Sequence, residues 1–262
     1  MRRVGTGVAG FGFVIATAGL AILSLVYHGF APVWQPLPAW VPWHDFWVYA
    51  CGLLLLAASA GLCFTRTASS SVVVIAVYLV AWAVVRTVAV VHTPSGFGAW
   101  YGIFEALGPL VAALILGAWL RPRALRVAQG MFGITCVVFG IAHFVYADFT
   151  ASMVPGWLPG HLGLAWFTGL GHVAAVLGLA LGILPRLAAS LEALMMGLFA
   201  LLVWVPSLFA RPPPPWATPP QNQWSELVLT LLLAASAWIV ATSIRTQEGG
   251  GISANPGRLG LG

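Results

Sequence analysis

Residues 39–62 read AWVPWHDFWVYACGLLLLAASAGL, and residues 156–179 read GWLPGHLGLAWFTGLGHVAAVLGL. Each stretch joins a connector containing Trp and Pro to an apolar run about as long as a membrane-spanning helix, which needs about 20 residues. Aligned without gaps, the stretches are identical at nine positions, so the chain contains an internal duplication. The identities are Trp40/Trp157, Pro42/Pro159, His44/His161, Gly52/Gly169, Leu53/Leu170, Ala57/Ala174, Ala58/Ala175, Gly61/Gly178 and Leu62/Leu179.

The similarity continues on both sides of these stretches. The further matches are FVIAT at 13–17 with FGITC at 132–136, VYHGF at 26–30 with VYADF at 145–149, Trp100 with Trp224, and Arg121 with Arg245. We expect two four-helix repeats, residues 1–122 and 123–246, followed by a flexible tail at 247–262. An even number of helices gives both repeats the same orientation, related by an axis along the membrane normal.

Composition assigns the chain to the membrane. Of its 262 residues 60% are hydrophobic and only 6% are charged, whereas soluble domains carry roughly 25% charged residues. Lipid contact excludes irregular backbone, so we predict an all-α, polytopic membrane bundle of about eight transmembrane helices whose first partner is the lipid bilayer. The predicted spans are about 8–29, 46–64, 72–91, 101–120, 127–147, 163–184, 188–209 and 224–243.

Four longer connectors, rich in Pro, Gly and Trp, separate these spans. They are residues 30–45, 92–100, 148–162 and 210–223. The segment RPPPPWATPPQNQW at 211–224 favours a stiff polyproline-like loop, since such sequences adopt an extended helix without internal hydrogen bonds.

The basic residues predict the orientation. All eleven cations are Arg, and they stand mostly singly at the ends of apolar runs. This pattern is typical of topology signals rather than of a basic surface that binds nucleic acid, so no nucleic-acid partner is expected. With eight spans, only Arg211 lies on the outer side, and both termini are predicted to be cytoplasmic in a cell inner membrane. The arginines on the cytoplasmic side are Arg2, Arg3, Arg66, Arg121, Arg123, Arg126, Arg186, Arg245 and Arg258.

The three cysteines do not indicate redox or metal chemistry. Cys51, Cys63 and Cys136 lie inside apolar runs, and no two of them have C-x-x-C spacing. We therefore interpret them as small packing residues.

Ionisable groups within the apolar runs provide the candidate ligand-binding site, because such groups are costly in the membrane and are functional by default. His172 follows His161 by eleven residues, about three helical turns, so it faces the same way but lies deeper. Glu192 and Glu248 are expected on the cytoplasmic side. The candidate residues are His28, Arg86, Glu105, His143, His161, His172 and Glu226.

Arg86 lies within the third predicted span and needs a partner, since an unpaired buried charge is expensive. Glu105, at the start of the next span, is the predicted ion-pair partner. The alternative is that Arg86 binds the carboxylate or sulfoxyanion of a substrate.

The second half resembles the DoxX-like family of four-span bacterial membrane proteins. The resemblance rests on His143 at the end of a span, on VPGWLP at 154–159, on the Thr-Gly at 168–169 and on the Leu-Pro-Arg at 184–186. It implies a redox-associated membrane subunit with a membrane or periplasmic redox partner. The family often carries an acidic residue shortly after the Thr-Gly, where this chain has His172.

Three classes of function remain open. The first is a redox-associated subunit with an outer-face pocket for a quinone or another small molecule, lined by His172 and Trp residues and reached from 148–162. Haem or a metal ion is the weaker alternative, because the sequence contains no ligand motif, and no metal site is predicted. A permease and a scaffold subunit are the other classes. We predict that no span is broken by Gly or Pro and that the polar groups lie near one face. Both features argue against a permease. No catalytic residue is identified.

Overall fold

The computed structural model describes residues 7–31, 33–92, 97–117, 120–211 and 213–251, with side chains described as far as Ile244. Every regular element in these ranges is helical, which confirms the all-α class. The helices are α1 (Val8–Val26), α2 (His44–Gly61), α3 (Ala68–His92), α4 (Gly98–Leu116), α5 (Pro122–Val145), α6 (Ala147–Met153), α7 (His161–Leu181), α8 (Pro185–Phe199), a π-helical turn (Ala200–Trp204), α9 (Val205–Phe209) and α10 (Pro220–Gly251).

Within the described ranges, seven segments are long and apolar enough to cross a membrane, counting α8, the π-helical turn and α9 as one. The predicted span at 46–64 corresponds to α2, which has 18 residues and places Asp45 in its first turn, and it is not among the seven. Large apolar side chains point away from the bundle, including Val77 at 62% and Phe167 at 70% exposure. Outward-facing apolar residues require lipid as the solvent, so the chain is a multi-pass membrane protein.

The connectors divide between the two ends of the bundle. We call the end with residues 27–43, 146–160 and 210–219 the long-connector face, and the end with 62–67 and 182–184 the short-connector face. At the long-connector face the Tyr146 hydroxyl accepts a hydrogen bond from the Gly98 amide at 2.8 Å. At the short-connector face the Gln129 amide donates to the Ser243 hydroxyl at 3.0 Å. The first of these contacts joins the two halves, and the second joins α5 to α10 within the second half.

Helix packing follows the duplication. In the first half α1 packs against α2 and α3 against α4, and in the second half α5 packs against α7 and α8 against α10. Across the halves α1 packs against α10, and α5 packs against α4. Exchanging each helix for its counterpart leaves this neighbour pattern unchanged, with α4 and α10 in contact between the halves.

The second helix of each half begins in the same unusual way. Trp43 and Gly160 occupy equivalent positions, and both have left-handed backbone conformations, with φ of 61° and 68°. Glycine adopts this conformation freely, whereas for Trp43 it costs energy that the surrounding structure must offset. The next helix starts 24 residues after the second in both halves (68 − 44 and 185 − 161).

Three sequence predictions about connectors and ends need correction. The predicted connector at 148–162 contains α6, and the stiff loop before α10 ends at Pro220. The helix α10 extends to Gly251, so the first residues of the predicted tail at 247–262 are helical, and residues 252–262 lie outside the described part.

The prediction of unbroken spans is also wrong. The last third of the 185–209 segment contains the π-helical turn, and α4 contains Pro109. Pro206 lacks the N–H that would continue the α-helical ladder, which accounts for the widened turn preceding it.

Candidate functional site

A hydrogen-bonded pair of ionisable side chains lies inside the second half. His172 on α7 and Glu192 on α8 share a hydrogen bond of 2.9 Å between Nδ1 and Oε1, and each side chain is only 1% exposed. His172 is the twelfth of the 21 residues of α7, near the middle of this helix. Two groups of this kind are tolerated at such depth because each satisfies the other.

Glu192 is the functional residue that sequence reasoning missed. The predicted topology placed it on the cytoplasmic side. It is instead the eighth residue of the 185–209 segment, roughly 10 Å along the helix from Pro185. An acid two turns inside an apolar run was the signal that could have identified it.

His143 extends the pair toward the long-connector face. Its Nδ1 lies 2.8 Å from the Thr168 hydroxyl and 3.2 Å from the Ala165 carbonyl oxygen. The His143 ring is half-buried, and its centroid is 5.1 Å from that of His172. The structure therefore brings the rings of His143 and His172 together.

Aromatic rings and a thiol surround the two histidines. Phe199 stacks on His143 with a centroid distance of 5.7 Å and an interplanar angle of 22°, and Phe139 meets the His172 ring at 5.8 Å. The buried thiol of Cys136 lies close enough to Glu192 to interact with it electrostatically. These walls keep bulk water away from the pair. No cysteine among the described residues is in a disulfide.

The remaining candidates of the second half do not join this cluster. His161 starts α7 and is partly exposed, about three turns from His172 along the helix, so the two rings do not face one site. Glu226 on α10 was expected to close the cluster, but it interacts electrostatically with Glu105 of α4. Glu105 is 3% exposed, and among the described residues its Oε2 has no hydrogen-bonding partner.

Arg86 reaches α4, but not through the predicted ion pair. Its Nε donates to the Ala99 carbonyl oxygen at 3.0 Å, and the described residues contain no ion pair between Arg86 and Glu105. Ala99 lies six residues before Glu105, about 9 Å along the helix axis, so the guanidinium meets the start of α4 instead.

His28 belongs to the long-connector face of the first half. It has a positive φ of 52° and follows α1, and its Nδ1 shares a hydrogen bond of 2.7 Å with the Tyr49 hydroxyl. An exposed ring at a membrane edge costs little free energy, and the contact between His28 and Tyr49 anchors α1 to α2. It is separate from the His143–His172 cluster.

A groove opens at the long-connector face of the second half. Its volume is about 370 Å³, and its wall includes Met153, Pro155, Trp157, Pro206, Pro214 and Trp216. Ser152 and Ser207 add hydroxyl groups. A cavity at this place lined by Trp was predicted, but His172 is not among its lining residues because it lies deeper, between α7 and α8.

The described part of the chain contains no group of three His, Cys, Asp or Glu side chains arranged to hold a metal ion. No protein-family model, curated protein or solved structure matches this chain.

Proposed function

We propose that this protein is a DoxX-like, redox-associated subunit of a bacterial inner membrane that binds a quinone-like small molecule at its long-connector face. The observation that carries the proposal is the groove between α6 and α9. Its volume of about 370 Å³ lies in the range of small-molecule sites, about 300–1,000 Å³.

The chemistry of the groove suits a flat, apolar ring with polar substituents. Trp157 and Trp216 offer indole faces for stacking, and Trp204 holds Trp216 edge-on at a centroid distance of 5.9 Å. The Ser152 and Ser207 hydroxyls donate to the Phe149 and Trp204 carbonyls at 2.6 and 2.8 Å, so either one would donate to a ligand carbonyl only after turning away from its backbone partner. A quinone has a ring, two carbonyls and a membrane-soluble tail, which matches a groove at the membrane edge.

The resemblance to the DoxX-like family supports the redox class. The acidic residue that the family often carries after the Thr-Gly is replaced here by His172, and the next helix supplies a carboxylate to the same place through Glu192. The symmetric neighbour pattern and the shared left-handed starts of α2 and α7 support the tandem repeat at 1–122 and 123–246. The proposal also includes a redox partner of this protein, located in the membrane or periplasm.

The orientation follows from the arginines. In the described part of the chain, five lie at or near the short-connector face, and Arg211 lies at the long-connector face. Basic residues accumulate on the cytoplasmic side, so the groove opens to the periplasm and both termini are cytoplasmic. The five are Arg66, Arg121, Arg123, Arg126 and Arg186.

Saturable binding of a short-chain benzoquinone to the full-length protein in lipid nanodiscs tests the proposal. Trp157→Ala combined with Trp216→Ala should weaken binding on the order of tenfold, since each aromatic stacking contact contributes about 0.5–1.5 kcal/mol. Trp40→Ala is the matched control, because Trp40 is equivalent to Trp157 and is similarly exposed, at 82% against 72%. It should leave the affinity unchanged.

Two results would contradict quinone binding. Equal weakening by Trp40→Ala would indicate non-specific partitioning at the aromatic belt, and the absence of saturable binding would favour a scaffold. A permease stays an alternative class of function, because the prediction of unbroken spans was wrong. Protein-dependent uptake of the quinone into sealed vesicles would favour it.

A further inference from the structure

We propose that Glu192, His172 and His143 form a proton relay inside the second half, in which the His172–Glu192 pair holds one proton and exchanges it with His143. This inference goes beyond ligand binding at the groove and does not depend on it. It rests on the burial of the pair, on the hydrogen bonds of the two histidines and on the closeness of their rings.

Burial favours a His172–Glu192 pair that carries no net charge. Both side chains are 1% exposed, so a net charge there would lie in a medium of low dielectric constant. Two arrangements are neutral: a protonated imidazole beside a carboxylate, and a neutral imidazole beside a carboxylic acid. Both contain one shared proton, located between Nδ1 of His172 and Oε1 of Glu192 at 2.9 Å.

The hydrogen bonds of His143 determine which of its nitrogens can receive a proton. A carbonyl oxygen only accepts, so the contact with Ala165 at 3.2 Å assigns the hydrogen to Nδ1 of His143. The Thr168 hydroxyl donates its own hydrogen to the Leu164 carbonyl at 3.0 Å and accepts from the same Nδ1. The other nitrogen of His143, Nε2, is then a free acceptor.

The second nitrogen of His172 completes the path. Its Nε2 is buried and has no hydrogen-bonding partner among the described residues, as is also true of Glu192 Oε2. The two imidazole rings lie 5.1 Å apart between centroids at an angle of 65°. The relay requires a water molecule or a ring rotation that connects the two Nε2 atoms.

The transfer conserves charge and atoms. In the imidazolium form, His172 releases the proton on Nε2, the bonding electron pair stays on that nitrogen, and the proton joins Nε2 of His143. The pair then carries one negative charge and His143 one positive charge. Because His143 is only half-buried, it can pass the proton onward toward the long-connector face, and the pair is refilled by one proton.

Other titratable groups face this cluster from the neighbouring helices. Cys136 of α5 interacts with Glu192, and Tyr101 of α4 lies within electrostatic range of Glu192, Glu105 and Glu226. Cys136 and Tyr101 are uncharged when protonated. Glu105 and Glu226 interact with each other, whereas the charged groups that act on His143 are His172 and Glu192.

Nitrogen-15 NMR of histidine-labelled full-length protein in phosphatidylcholine nanodiscs tests the relay through a pH titration. In the unmodified protein, the His143 and His172 signals should change together, as interacting sites do. Glu192→Gln should alter the signals of both rings. Glu105→Gln is the matched control, since it removes a buried carboxylate outside the cluster and should leave both unchanged.

A second variant keeps the relay testable if Glu192→Gln fails to fold. His172→Leu combined with Glu192→Ile replaces the pair by the residues found at the equivalent positions of the first half, and His143 should then titrate as an isolated group. An unchanged His143 titration in this variant, or equal changes caused by Glu105→Gln, would overturn the relay.

Discussion

The two halves of the bundle treat the same position in opposite ways. Where the second half has His172 and Glu192, the first half has Leu55 and Ile75, 117 residues earlier in both cases (172 − 55 and 192 − 75). Leu55 is 3% exposed and Ile75 is 0% exposed, and both belong to the hydrophobic core. The same helical framework therefore accepts either an apolar contact or an ionisable pair here, so the fold itself does not require the pair.

The polar contacts that lie near Leu55 and Ile75 along α2 and α3 are uncharged. The Gln35 amide donates to the Tyr78 hydroxyl at 2.6 Å, and the Ser59 hydroxyl donates to Thr17 at 2.9 Å. Contacts of this kind satisfy buried groups without holding an exchangeable proton at neutral pH. The ionisable pair of the proposed relay therefore has an apolar counterpart in the first half, Leu55 and Ile75.

The largest expected effect comes from breaking the pair on one side only. Glu192→Ile alone leaves His172 buried without its partner and should lower the free energy of unfolding by about 3 kcal/mol or more. Adding His172→Leu should recover most of this loss, because apolar replacement of a buried pair is often neutral or stabilising. Unfolding in mixed detergent micelles measures both variants. A double variant as unstable as the single one would show that the halves are not equivalent here.

The reverse exchange is expected to have a smaller effect. Leu55→His should destabilise the first half by about 2 kcal/mol, since a buried polar group without a partner costs about 1–3 kcal/mol. Combining it with Ile75→Glu should reduce the loss if α2 and α3 present these positions to each other as α7 and α8 do. The same unfolding measurement tests this, and simple addition of the two losses would argue against equivalent geometry.

The smallest expected difference concerns two equivalent glycines at the first helix crossing of each half. A Cβ at Gly169 would lie 2.9 Å from the Cβ of His143, whereas one at Gly52 would meet the flexible end of Leu25 at 2.8 Å. Gly169→Ala should therefore cost about 1–2 kcal/mol and Gly52→Ala less, because overpacking costs more where the neighbour cannot move.

Gly163→Ala is the matched control for these glycines. It lies on α7 with nothing within 4 Å of the added Cβ, and it should leave stability unchanged or raise it by up to about 1 kcal/mol, because alanine favours helix more than glycine does. Equal losses for Gly52→Ala and Gly169→Ala would mean that the two crossings are equally tight.

The sequence by itself determined the class of protein and the approximate position of each long helix. Apolar runs, arginines at their ends and connectors rich in Trp and Pro are local signals, and they located α3, α5 and α7 to within a few residues at most of their ends. The duplication could also be identified from the sequence, because an alignment requires no knowledge of contacts. The prediction of eight spans exceeded the seven found because Asp45 and His44 lie within the first turn of α2.

Only the tertiary structure decided which ionisable groups meet. A helix in lipid is apolar on the side that faces the bundle and on the side that faces the membrane, so hydrophobic periodicity does not reveal its rotation. The pairing of Glu192 with His172 and the contact of Arg86 with the Ala99 carbonyl both depend on that rotation and on relative depth. These quantities are set by packing between helices, where Gly169 allows α7 to approach α5 closely, and no local stretch of sequence encodes them.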